Sequence, residues 1–462
     1  MSSKAISPEE QAKLQTYLDD VMAKAKKALV ELESRSQEQI DSYVKACGKV
    51  VFDNAEEFAK FAVEETGMGI YDHKVLKNKN KSRNIWWSLK GKKSVGVIER
   101  EADTGLVKVA KPVGVVGAIT PMTNPNVTPM SNAMFAIKGR NPIIVAPHPR
   151  ALKTGIQTVE AINKELKSLG APDNTIQILT IPSMELVQMM TSAVDVVIAT
   201  GGMAMVKSVY SSGKPALGVG AGNVQVLMDS GINYEEAAKF IIAGRGFDNG
   251  IICSGEQSVM VPKADADKII DLFGKNGAYV VKNNERDKLR ETIFPGGSMN
   301  KDLVGQSAKK IGDEAGINVP DGTQILLVEA ESGKDILGSE KMYPVLTLFR
   351  YDNWNNAIEI ANNNMAKAGK GHTVAVHSKS QDNIEKVALS VDVARVVVNA
   401  PSSFTAGGSW QNSLAPTNTL GCGSWGNNSI SENLTYTHLI NVQRVAYKLE
   451  DRCAPSDEKI WE

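Results

Sequence analysis

Apolar positions in the first 66 residues recur with the period of a helix. Leu14, Leu18, Val21, Met22 and Ala25 fall on one stripe, and Val44, Cys47, Val51 and Phe52 on another; the spacing predicts helices across residues 8–66. Cys47, inside such a stripe, reads as a buried, inert thiol. Residues 94–112 differ: two β-rich runs flank Glu101–Gly105 and predict a long hairpin. From residue 113 short apolar runs, VGVVGAIT (113–120), NPIIVAP (141–147), TIQILT (175–180) and VDVVIAT (194–200), alternate with helical stretches such as 151–168. A second alternating region follows from about 229. Helices are predicted there at 234–245, 264–275 and 354–363, and strands at 257–262, 324–329, 345–350, 373–377 and 394–399. Strand–helix alternation of this kind predicts an α/β protein with two doubly wound parallel sheets plus the hairpin.

Composition narrows the class. The chain has 462 residues, 52 Lys+Arg against 52 Asp+Glu, 42% hydrophobic and 23% charged residues. A length of this order predicts more than one domain. Balanced charge offers no general grip on nucleic acid or an anionic membrane. No run is apolar enough to span a bilayer, and the first residues lack a secretory h-region, so the expected location is the cytoplasm. Cys47, Cys253, Cys422 and Cys453 show no metal-ligand spacing, so neither a disulfide framework nor a metal site is expected. The N-terminal helical extension reads as a helix packed on the surface, or one that docks on a partner.

Four stretches carry candidate chemistry. In FDNGIICSGEQSV (247–259), Cys253 sits in a short polar loop before a strand. Two readings fit it: a small residue packed behind the turn, or a thiolate nucleophile. In ATGGMAMVKSVYSSGKPALGVGAGN (199–223), a strand ends in Gly201–Gly202 before a helix, which aims backbone N–H groups where a pyrophosphate fits. Gly218 and Gly220 belong to a second glycine cluster; tight turns are the plain alternative for both. PMTNPNVTP (121–129) leaves Asn124 at the carboxyl end of a strand, where its amide can donate to a developing oxyanion. In APHPRALK (146–153), His148, Arg150 and Lys153 form a cationic cluster at a helix start, suited to phosphate. The GxGxxG at 421–426 follows no predicted strand and reads as a packed loop holding a structural Cys422, not as a dinucleotide fingerprint.

In order, TNP (123–125), PHPR (147–150), ATGG (199–202), SSGKPALGVGAGN (211–223), FDNGIICSGEQ (247–257), EKMYPV (340–345), GHT (371–373) and LGCGSWGNNSISEN (420–433) resemble the aldehyde dehydrogenase superfamily. Within it they resemble the CoA-acylating branch, especially the CoA-dependent succinate semialdehyde dehydrogenases and the acetaldehyde dehydrogenase half of bifunctional aldehyde–alcohol dehydrogenases. The resemblance implies Cys253 as nucleophile and Asn124 as oxyanion-hole amide. It implies Thr200, Gly201, Gly202, Gly218 and Gly220, with Pro147, His148 and Arg150, as the cofactor cradle. Glu340 matches the residue that holds the nicotinamide ribose, and His372 an active-site histidine.

It also implies NAD(P)(H) as cofactor, coenzyme A as co-substrate, no metal, a small aldehyde as substrate, and a homodimer or dimer of dimers. The domains would be 1–93 with 113–228 for the cofactor, with 418–435 packed on it, 229–417 for catalysis, and 94–112 with 436–462 as an oligomerisation arm. Hydrolytic aldehyde dehydrogenases carry a Glu in an E-L-G-G stretch to activate water. The matching stretch here is Gly218-Val219-Gly220-Ala221, which points to a thiol acceptor instead. Arg245, eight residues before Cys253, is the candidate for a substrate carboxylate. A hydrolytic enzyme with a base from elsewhere, an acyl-phosphate reductase and a non-catalytic relative of the fold stay open.

Overall fold

A computed structural model describes residues 7–330 and 334–462. The first sheet has five parallel strands in the order Ile176–Ile178, Ile143–Pro147, Val116–Thr120, Val196–Thr200 and Ala216–Val219. Val116–Thr120 is central and buried along its length, as expected for a strand covered on both faces. The chain winds away from it in both directions, so the crevice at the ends of Val116–Thr120 and Val196–Thr200 is the switch point where such sheets bind ligands. One face packs against helices Gln37–Asp53, Ala55–Thr66, Val127–Lys138 and Leu152–Ser168, and the other against helices Pro8–Glu33 and Met184–Ala193. The N-terminal helix is thus packed on this domain, with Leu14, Leu18, Val21, Met22 and Ala25 all buried.

The second sheet has seven parallel strands: Ala278–Val280, Ile325–Glu329, Val345–Tyr351, Glu256–Pro262, Val224–Met228, Gly371–His377 and Val393–Val398. Val224–Met228 pairs between Glu256–Pro262 and Gly371–His377. The expected domain boundary at 228/229 is therefore corrected: the chain crosses from one sheet to the other in residues 220–223, between Val219 and Val224. The carboxyl edge of the first sheet and the amino edge of the second meet at this crossing.

The expected hairpin forms from strands Gly96–Glu101 and Leu106–Pro112, and strand Ile440–Ala446 joins it antiparallel to make a three-stranded sheet. Segment 418–435 returns to the body, where Leu434 is fully buried in the core of the first domain. Cys453 is exposed.

Helix Tyr71–Leu89 is absent from the expected elements. Its buried face runs through Lys74, Lys77, Asn78 and Ser82 before it reaches the apolar Ile85 and Leu89, so its first three turns carry no hydrophobic period.

Candidate active site

Cys253 lies three residues before strand Glu256–Pro262, in a loop entered through Asp248 and Asn249. Both precede Gly250 in the left-handed region, at φ +52° and +53°. Two such non-glycine residues in succession persist only where their surroundings hold them. The buried Asp248 carboxylate accepts from Ile70 N (2.9 Å), Lys74 Nζ (3.1 Å) and Lys77 Nζ (2.6 Å), and its N–H donates to His73 Nδ1 (2.9 Å). Asn249 Nδ2 donates to Gly305 O at 2.9 Å. Lys77 Nζ also donates to Thr123 O (3.3 Å), so one ammonium joins the Cys253 loop to the segment that carries Asn124.

Arg245 corrects an expectation. It is wholly buried, and its guanidinium donates to Tyr343 O, Glu256 O (3.0 Å), Gly250 O (3.0 Å) and Lys341 O (2.7 Å). It is a strut beneath the loop, committed to backbone carbonyls, and does not face a substrate carboxylate. Buried Glu256 lies beside it, with its carboxyl accepting from Ser402 N at 2.6 Å, and burial pushes this acid up to about 7.

The Cys253 side is crowded by close backbone approach. Any Cβ on Gly222 would overlap Cys253 O and would press on His372 Cδ2, 3.3 Å away. Gly222 N donates to Glu340 Oε1 (3.1 Å). Glu340 is pushed up to about 7 by burial, while the Gly222 bond and the Arg245 charge pull the other way. Cys253 is partly exposed. Its thiol is pushed up by burial and by the Glu340 charge, and held down by Arg395 and Lys81 and by a bond from Ser254 N–H. His372 is pushed down to about 3 by burial and the nearby Arg395, so its imidazole is neutral; Nδ1 meets Thr373 Oγ1 at 2.9 Å. Asn124 is half-buried, and among the described residues its side-chain amide makes one hydrogen bond, to Thr123 Oγ1 at 3.4 Å.

At the switch point of the first sheet, Thr200 ends strand Val196–Thr200 and its hydroxyl meets that of Thr419 at 3.3 Å. Gly202 caps helix Met203–Tyr210 without a side-chain bond, so no side chain covers the first-turn N–H groups, of which Met205 N–H turns back to Gly202 O (3.0 Å). A Cβ on Gly202 would meet nothing within 4 Å, and one on Gly201 only Met205 at 3.8 Å. That open, donor-lined cradle fits a dinucleotide diphosphate.

The rest of the expected cradle makes local contacts as well. Gly218 exchanges both backbone groups with the Tyr210 hydroxyl (3.0 and 3.1 Å), and a Cβ on Gly220 would collide with Met203, so both positions are tied into the neighbouring helix. The start of helix Leu152–Ser168 is already filled by the Glu65 carboxylate, which accepts from Lys153 N (2.9 Å) and Thr154 N (2.7 Å). Pro147 ends its strand, His148 Nδ1 caps the turn at Arg150 N (3.1 Å), and Arg150 Nη2 reaches Thr66 O at 3.3 Å. The GxGxxG at 421–426 is a packed loop as expected, with buried Cys422 pushed up to about 11 by burial.

Sequence reasoning missed Lys81 and Arg395, the two cations that act on the thiol. Arg395 is buried and donates to Thr373 Oγ1, Asn433 Oδ1, His372 O and Gly421 O. The regular spacing of Lys74, Lys77 and Lys81 was the available signal.

Parallel α/β sheets meeting at a cysteine loop, with a glycine cradle at the switch point, are the architecture that the sequence motifs anticipate. Residues 9–411 match the aldehyde dehydrogenase family, and the chain belongs to it. It is 53% identical over 447 residues to the succinate-semialdehyde dehydrogenase (acetylating) of Clostridium kluyveri, covering 96% of this chain and 98% of that one. An acetylating aldehyde dehydrogenase from Geobacillus thermoglucosidasius superposes with a TM-score of 0.93 at 34% identity, over 97% of this chain and all of the other. A propionaldehyde dehydrogenase of Rhodopseudomonas palustris, solved with bound CoA and an acylated cysteine, gives a TM-score of 0.84 at 30% identity over 93% and 96% of the two chains. Among the described residues no helix is long and apolar enough to cross a membrane.

Proposed function

We propose that the protein is a CoA-acylating aldehyde dehydrogenase that interconverts succinate semialdehyde and succinyl-CoA, with Cys253 as nucleophile and NAD(P) as cofactor. The observation that carries the chemistry is the partly exposed Cys253 thiol, set between two cations and a glutamate at the junction of the two sheets. The substrate reading rests on the 53% identity to the acetylating succinate-semialdehyde dehydrogenase.

The Cys253 thiolate adds to the aldehyde carbon, forming a C–S bond and placing the negative charge on oxygen. The Cys253 N–H, which has no acceptor among the described residues, and the Asn124 amide are the donors for that oxygen. Thr200–Gly202 and Glu340 would hold the nicotinamide cofactor, which would take up the hydride as the C–H bond of the former aldehyde carbon breaks. Cys253 is left as a thioester. The thiol of CoA then adds to that carbonyl, the same donors hold the oxyanion, and Cys253 leaves as thiolate. Water is a poor competitor because no carboxylate stands at 218–221, where Gly218 is engaged by Tyr210. Neutral His372 shapes this wall without adding charge. The three-stranded arm of 94–112 and 436–462 joins two copies of the chain.

The test is a spectrophotometric panel: succinyl-CoA, acetyl-CoA and propionyl-CoA, each with NADH and NADPH. Succinyl-CoA should give the highest kcat/KM, and Cys253→Ala should reduce every rate to background. Turnover retained without Cys253 would sink the mechanism. Free acid formed from aldehyde in the absence of CoA would favour the hydrolytic reading, with buried Glu340 as the available base.

A further inference from the structure

Helix Tyr71–Leu89 carries Lys74, Lys77 and Lys81 at i, i+3 and i+7, which is one face of a helix. That face looks onto the Cys253 loop and the Asn124 segment, because Lys74 and Lys77 bind Asp248 and Lys77 also binds Thr123 O. A single carboxylate thus answers the first two ammonium groups. Lys81, one turn beyond Lys77, has none: its Nζ donates to Gly407 O (3.0 Å) and Thr417 O (2.9 Å), and no carboxylate pairs with it among the described residues. An ammonium has three N–H groups, so two carbonyls leave one donor and a whole charge unanswered.

Burial holds Lys81 down to about 8, and the one negative group acting on it is the Cys253 thiolate. The other cations around the thiol are committed. Arg395 is held by four oxygen acceptors, and Arg245 lies under the loop, bound to carbonyls. The ammonium of Lys81 is shielded enough to be held down, yet Lys81 and Cys253 each keep part of their surface open to solvent.

We infer that the Lys81 ammonium is the counter-ion for a negative group at the far end of the substrate chain, which makes this enzyme selective for aldehydes with a terminal anion, a carboxylate or a sulfonate. The inference rests on the reading of Cys253 as the acyl carrier and takes over the role expected of Arg245. A flexible ammonium donates a single bond to such a group and demands no bidentate geometry, so it accepts either anion.

The experiment compares wild type, Lys81→Met and Lys81→Arg on succinate semialdehyde, sulfoacetaldehyde and uncharged butyraldehyde, each with CoA and NAD(P). A charge-assisted bond in a half-buried site is worth about a ten- to hundred-fold factor. Lys81→Met should therefore lose about that much more kcat/KM on the anionic aldehydes than on butyraldehyde, mainly through KM. Lys81→Arg should recover most of the difference. The anionic arm that loses selectivity identifies the group that is bound. Equal loss on all three aldehydes would assign Lys81 to the thiolate or to folding and overturn the inference. A wild type inactive on every aldehyde would overturn the reading of Cys253 itself, a different outcome from an active wild type whose selectivity Lys81 does not set.

Discussion

At Cys253 opposing effects meet on one sulfur. Burial and the Glu340 carboxylate favour the thiol, while Arg395 and Lys81 favour the thiolate. Glu340 is itself pushed up to about 7, so it gains its charge as the pH rises through neutrality, and each increment of that charge makes the thiolate harder to form. Glu340→Gln keeps an oxygen for the Gly222 N–H and removes the charge. The rate of inactivation by iodoacetamide, followed against pH, should therefore rise at lower pH in Glu340→Gln than in wild type. A profile that stays put or moves to higher pH would show that Glu340 does not govern the nucleophile. Other residues bear on what sequence reveals. Cys253 and Asn124 stand out in the sequence because they sit in short polar loops between apolar runs. Arg245 was misread because a cation near a nucleophile looks the same in sequence whether it faces a ligand or supports a loop, and only the four carbonyls around it decide.

Helix Tyr71–Leu89 shows why an element can be silent in sequence and still organise a site. Its N-terminal half docks by ion pairing, with Lys74 and Lys77 holding Asp248, which holds the left-handed turn before Cys253, while Ile85 and Leu89 anchor its C-terminal half in the core. Burial alone would raise the Asp248 acid, but Lys77 and Lys74 outweigh it and bring it down to about 2. A folded-state value below the unfolded one contributes stability that is present above the ordinary carboxylate range and lost as pH falls toward 2. Asp248→Asn leaves two ammonium groups buried without their counter-ion. Urea denaturation at pH 7 should show a loss of about 3–5 kcal/mol, and the acid limb of the stability curve between about 4 and 2 should flatten. An unchanged midpoint would mean that the cluster holds nothing. Strands Ala216–Val219 and Val224–Met228 were hidden differently. They flank a glycine cluster whose composition suggests a phosphate loop, yet that cluster is the crossing between two sheets. Apolar runs such as 113–120 and 194–200 were legible because strands covered on both faces are apolar throughout.

For the molecule as a whole, strand alternation announced two doubly wound sheets, but their boundary depends on which neighbour Val224–Met228 pairs with, a long-range choice that no local pattern contains. The arm poses the same problem one level higher. Its inner strand Leu106–Pro112 turns Val107 and Ala110 inward, while the edge strand Ile440–Ala446 leaves Val445 exposed, with Tyr447 beside it. A three-stranded sheet with an open edge and apolar groups in water invites pairing, and a two-fold operator would bring the same strand of a second copy against it. Val445→Asp places a charge on that surface without touching the Cys253 loop. Sedimentation velocity should find wild type as a dimer or a higher even assembly and the variant shifted toward monomer. A monomeric wild type, or an assembly indifferent to the new charge, would remove the arm from the interface and leave its apolar edge to some other contact.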